Sequence, residues 1–136
     1  MTTETDRAHG VTPGLQRDYA TRTAQELDRL MIAWQRHRGS DITLGKRLPE
    51  IVRQAGFSGA IKSVSADTKG NPESVRSHAD MTVSLLDGPF GHAILENEWA
   101  EPDTVERLKD GIQAWAGHPD AFFANVHVEV ICWKPD

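Results

Sequence analysis

The sequence predicts an α+β fold: an antiparallel pair of strands, about residues 60–66 and 124–133, accompanied by four or five helices. Three observations carry that expectation. Residues 44–57, LGKRLPEIVRQAGF, read as an amphipathic helix stopped by Gly56-Phe57 and followed at once by a strand-like run. Near the end of the chain Val126, Val128, Val130 and Cys132 alternate with Asn125, His127, Glu129, Ile131 and Trp133, the two-residue period of a strand. Between these two runs, apolar residues recur at helical spacing in further segments. A helix that stops at glycine and feeds a strand is the common unit of layered α/β proteins.

A chain of 136 residues makes one domain. Its 38% hydrophobic and 26% charged residues are those of an ordinary globular protein. A net charge of −5 argues against binding a nucleic-acid backbone, which needs clustered Lys and Arg. No apolar stretch approaches bilayer-spanning length, and the first residues lack the pattern of a signal peptide. Cys132 is the single cysteine, so neither an internal disulfide nor a cysteine-rich zinc site can form. A cytoplasmic protein without nucleic-acid or membrane partners is expected.

Residues 1–20 mix Thr, Asp, Glu, Arg, Gly and Pro without an apolar period and read as a mobile leader, leaving 21–136 as the domain. Thr23 and Glu26 match a capping box, and Leu27, Leu30, Met31 and Trp34 repeat along one face of a helix ending near Arg38-Gly39. In the helix of residues 44–57, Leu44, Leu48, Ile51, Val52 and Ala55 form the apolar face. Pro49 either kinks that helix or opens a shorter one. Residues 60–66, AIKSVSA, form the first strand, which ends at Asp67-Thr68-Lys69-Gly70. Asn71-Pro72 caps a helix over 72–86 with one stripe of Val75, Ala79, Val83 and Leu86 and a second apolar side of Met81 and Leu85. Residues 90–99 suggest a short helix. Asp103 and Glu106 match a second capping box ahead of Val105, Leu108, Ile112 and Trp115, and Gly117-His118-Pro119 stops that helix. Two strands are rarely a sufficient sheet, so a homodimer or a partner that extends it is expected.

Several side chains qualify for chemistry, each against a plainer role. His127 and Glu129 lie two apart on one face of the last strand, where a carboxylate can orient an imidazole for acid/base catalysis; a solvated strand face has the same pattern. His78, Met81 and Leu85 share a helix face, with Phe90 and Trp99 close in sequence, and a small organic ligand needs such an apolar surface with a few polar groups. A core or subunit contact needs it equally. His92 and Glu96 are neighbours at i,i+4, without a recognised zinc spacing, and no metal is expected. Trp34 could stack on a ligand or pack in the core. Phe122, in Asp120-Ala121-Phe122-Phe123, bridges a turn and the last strand and is a candidate pocket edge. The acidic run Glu96, Glu98, Glu101, Asp103, Glu106 combines helix capping with a solvated loop. No Ser-His-Asp or Cys-His spacing can be assigned, and Cys132 falls on the core side of its strand.

The order of elements resembles the C-terminal half of class I S-adenosylmethionine-dependent methyltransferases, in particular the small-molecule enzymes similar to the ubiquinone/menaquinone-biosynthesis group. Residues 45–57 look like the family's helix before its sixth strand. Residues 115–123, WAGHPDAFF, and the strand after them look like the segment that leads into its seventh, antiparallel strand. The resemblance covers about residues 21–136. It implies the last two strands of a Rossmann-type sheet and helices lying over the substrate. The glycine-rich loop and the ribose-binding acidic residue of the family have no counterpart here. The chain alone is therefore expected to bind no cofactor, S-adenosylmethionine entering only if a partner supplies the binding half. Three functions follow: a small-molecule-binding protein, for example as one chain of a split methyltransferase; a cofactor-independent cyclase or isomerase of secondary metabolism; or a non-enzymatic dimeric or regulatory subunit.

Overall fold

The computed structural model describes residues 3–8 and 16–136, with side chains from Arg22 onward. Along the chain run β1 (Thr3–Ala8), α1 (Gln16–His37), α2 (Leu44–Gln54), β2 (Ser58–Lys69), α3 (Pro72–Asp87), α4 (Pro89–Glu96), α5 (Pro102–Ala116) and β3 (Phe123–Trp133). The expected α+β architecture is present, with its helices and the β2–β3 pair. The strands form one sheet in the order β1-β3-β2. β1 pairs antiparallel with β3, from Thr3 opposite Glu129 to Ala8 opposite Ala124. On the other side of β3, Ser63 and Ser65 reach Glu129, and Gly59 lies against the Trp133 ring. The partners run in opposite order along the two strands, so β2 and β3 are also antiparallel.

Local chemistry explains most of the boundaries. α2 ends in a complete Schellman motif: Gly56 takes φ +89°, its N–H bonds the Arg53 carbonyl, and the Phe57 N–H bonds that of Val52. α1 ends the same way at Gly39, φ +81°, with the Ser40 N–H on the Gln35 carbonyl. Pro49 lies inside α2, so the Gly45 carbonyl receives no helical N–H from that position. At α3 the Asn71 side chain accepts from the Ser74 N–H at 2.8 Å, with Pro72 at the first helical position.

Three expectations require correction. α1 begins at Gln16, so Thr23 and Glu26 are interior residues and form no capping box. The Ser/Thr-x-x-Glu spacing also suits a helix interior, where Glu26 pairs with Arg29 instead. α5 is entered through Glu101 with Pro102 in its first turn, so Asp103 is not its cap and Glu106 pairs with Lys109. β2 continues through Asp67-Thr68-Lys69, whose turn-like composition yields to pairing with β3. β1 and the first residues of α1 fall in the segment expected to be a leader; the rest of it, residues 1–2 and 9–15, lies outside the described residues.

The described chain divides into two compact units, interleaved in sequence: β1, α2, β2 and β3 form one, and α1, α3, α4 and α5 the other. The helical unit has its own core of Leu30, Met31, Trp34, Ala79, Leu86, Phe90, Ile94, Val105, Leu108 and Ile112, all at stripe positions of their helices. Burying side chains such as Phe90, Leu30 and Ile94 completely stabilises this unit by about 1.5–3 kcal/mol apiece before the entropy of ordering is set against it. α1 and α5 approach closely at Gly111, where a Cβ would meet Thr23 Oγ1 at 2.5 Å. In the sheet unit α2 contacts β1, with Leu48 and Val130 buried. β2 is exposed on both faces over almost its whole length, including Ile61 and Val64.

Candidate functional site

On β3 the two-residue period puts His127, Glu129, Ile131 and Trp133 on one face. There the Glu129 carboxylate accepts from Ser65 Oγ at 2.7 Å and from Ser63 Oγ at 3.3 Å, both on β2. Glu129 is thus a steadied carboxylate with an imidazole two residues away on the same strand, and both groups are half-buried. The alternation Ser63-Val64-Ser65 puts both serines on one face, but only the β2–β3 register reveals that they meet Glu129.

The ligand-surface candidates belong to the helical unit and separate into packed and open groups. Trp34 and Phe90 stack on each other with ring centroids 5.0 Å apart, and both are buried; their helical spacing is core spacing. Arg38 caps this stack, its guanidinium 4.8 Å from the Trp34 ring centroid. His78 stacks on Phe123 at 4.0 Å and meets Trp115 edge-on at 6.2 Å. Leu85 turns towards the core, whereas Met81 on the same helix is 55% exposed. Trp99 is half-buried, edge-on to His37 at 5.6 Å. Phe122 is exposed and lies over Gly70, where a Cβ would come within 3.2 Å of its ring. His92 and Glu96 are exposed on α4. Among the described residues no group of three or more His, Cys, Asp or Glu side chains is placed to hold a metal ion.

A further site was not anticipated from the sequence. A groove of about 620 Å³ runs between α1 and α5, lined by Arg22, Thr23, Gln25, Glu26, Arg29, Thr104, Arg107 and Leu108. Arg29 closes its fork on Glu26, Nη2 to Oε1 at 2.7 Å and Nε to Oε2 at 3.2 Å, and Nη2 also donates to the Trp99 carbonyl at 3.1 Å. The Arg29 hydrogen bonds hold the Glu26 carboxyl below the ordinary carboxylate range, and the charge of Arg107 adds to this. Arg107 Nη2 donates to Thr104 Oγ1 at 2.9 Å. Three guanidiniums therefore share the groove with one carboxylate. The spacing of Arg22, Glu26 and Arg29 on one helix is a signal in the sequence, but it reads as a solvated face until α5 brings Arg107 alongside.

No family model, curated protein or solved structure matches the chain. Among the described residues no helix is long and apolar enough to cross a membrane.

Proposed function

We propose that this chain is the substrate-covering half of a methyltransferase-like assembly, a cytoplasmic small-molecule-binding protein whose S-adenosylmethionine would be held by a partner chain. One observation supports this reading above the others. β3 runs antiparallel to β2 after the helical insertion α3–α5, the order that the resemblance to class I methyltransferases implies for the last two strands. The exposed sheet fits the same reading: β1 and β2 are both outer strands, and Ile61, Val64, Ile131 and Trp133 are uncovered, which leaves edges and apolar surface for the strands of a partner. The test is to mix the chain with labelled methyl donor, alone and with candidate cofactor-binding partners. Donor should be retained, and a small acceptor methylated, only in a mixture. Stoichiometric donor binding by the isolated chain, or failure of every partner to associate, rejects the reading.

A second reading, a cofactor-independent cyclase or isomerase, is favoured by the Glu129 carboxylate that two hydroxyls steady on the same strand face as His127. If these groups transfer protons, His127→Gln and Glu129→Gln should each slow turnover by about a hundredfold or more. An unchanged rate removes them. Sedimentation of the chain distinguishes a homodimeric subunit from both.

A further inference from the structure

The α1–α5 groove carries charge opposite in sign to that of the chain as a whole. The chain carries a net charge of −5, yet the groove gathers Arg22, Arg29 and Arg107 around Glu26 alone among carboxylates, a local excess of two positive charges. The three guanidiniums are not equivalent. Arg29 is committed, with its fork on Glu26 and Nη2 also on the Trp99 carbonyl. Arg107 spends one Nη2 hydrogen bond on the neutral Thr104 hydroxyl, which fixes its direction without neutralising it. Among the described residues Arg22 makes no ion pair. The Glu26–Arg29 pair is thus a built-in wall, and Arg22 and Arg107 are the charges left over.

Of the residues that line it, Thr104 and Leu108 are buried, and Thr23 packs against Gly111 where α1 and α5 approach closely. A volume of about 620 Å³ is that of a small-molecule site. Guanidinium forks match phosphate oxygens in bidentate geometry. An excess of two positive charges matches a phosphate monoester, which carries about −1.5 to −2 near neutral pH. We propose that this groove binds a phosphorylated small molecule, Arg22 and Arg107 grasping the phosphate while Arg29, locked on Glu26, holds the wall beside it. The inference names the chemistry of the ligand and rests on reading the helical unit as a small-molecule-binding part.

The test titrates inorganic phosphate into the isolated chain, without methyl donor or partner, and follows the arginine side-chain nitrogen resonances by NMR; malonate serves as a dicarboxylate control. Saturable shifts of Arg22 and Arg107 are expected below about 10 mM phosphate. Arg22→Gln and Arg107→Gln should each weaken binding by about tenfold or more, and Arg107→Lys by less, with the helical circular dichroism unchanged. Shifts that do not saturate, or that survive both Gln substitutions, overturn the proposal. Saturation by malonate with no response to phosphate overturns the assignment of phosphate. Because no donor or partner is present, a negative result here leaves partner-dependent methyl transfer untouched, and failure of methyl transfer leaves this binding measurement standing.

Discussion

Replacing Gly111 by alanine tests the α1–α5 contact that frames the groove, and the structure fixes both the sign and the partner. A Cβ at residue 111 would sit 2.5 Å from Thr23 Oγ1, 2.9 Å from Cγ2 and 3.3 Å from Cβ. Threonine has two preferred χ1 rotamers within a helix, but both of its branches and its Cβ lie close to the added atom, so a rotamer change alone does not clear the space. Overpacking of this kind costs about 1–3 kcal/mol. Against it, alanine gains about 1 kcal/mol over glycine in a helix interior. Gly111→Ala should therefore destabilise the helical unit by roughly 1 kcal/mol net. In a Thr23→Ala background the two closest atoms are gone and the nearest of the three, Cβ, lies at 3.3 Å, so the same change should be neutral or stabilising. The coupling in a double-mutant cycle is then about 1–3 kcal/mol.

Urea denaturation followed by tryptophan fluorescence measures it. Trp34, Trp99 and Trp115 report on the helical unit once Trp133, in the sheet unit, is replaced by Phe in every variant. A net 1 kcal/mol moves the urea midpoint by about half a molar. Equal destabilisation by Gly111→Ala in both backgrounds, or stabilisation in the presence of Thr23, would refute the contact.

Other substitutions and conditions have equally definite outcomes. Gly91→Ala would force a Cβ into the Leu86 carbonyl oxygen and should cost about 3 kcal/mol or more, whereas Gly117→Ala, which meets nothing closer than 3.6 Å, should stay within about 0.5 kcal/mol; urea midpoints compare the two. Asn71→Ala removes the side-chain cap on the Ser74 N–H and should cost about 1 kcal/mol, with the loss visible as faster amide exchange in the first turn of α3. Glu26 and Asp41 are held below the ordinary carboxylate range, by the Arg29 hydrogen bond and by the Thr43 hydroxyl and N–H respectively. Their contribution is complete above the usual carboxylate pKa and is lost as pH falls through the lowered values. Lys109 is raised by hydrogen bonds to Asp87 and Glu106, so its contribution is complete below the usual lysine pKa and is lost as pH rises through the raised value. Thermal midpoints should accordingly fall at the acid and alkaline extremes, with Glu26→Gln making the acid decline shallower and Lys109→Met the alkaline one; declines unchanged by these substitutions contradict the pairings.

How much of this was legible in the sequence depends on the range of the interaction involved. Helix stops at Gly39 and Gly56 and the Asn71-Pro72 start depend on chemistry within a few residues, and they appear where glycine, asparagine and proline ask for them. The start of α1 does not: a residue pattern that suits a cap also suits an interior turn, and Thr23 packs instead against Gly111 on another helix. Trp34 and Phe90 were legible as apolar positions but not as stacking partners, since only the folded core shows that each satisfies the other. On the sheet, the shared face of His127 and Glu129 follows from alternation, while the two serines that hold Glu129 depend on strand register. The arginine groove is the extreme case, because Arg107 is far from Arg22 and Arg29 in sequence and its meaning arises only when two helices lie side by side.

The contact between Phe122 and Gly70 brings together the two ends of the segment that carries α3, α4 and α5. Lys69 leaves β2 just before it and Phe123 enters β3 just after it, so the segment joining the two strands has ends that already meet. A helical segment that collapses first through its own contacts would leave the chain aligned for pairing, with part of the entropy of closing so long a connection met in advance. Pulse-labelled hydrogen exchange should find amides in α3 and α5 protected before those of β2, and shaving Phe122 to alanine should delay the strands while sparing the helices. In that order of events the outer strand β2 would pair last, and its exposed edge would be the point at which unfinished molecules stick to one another.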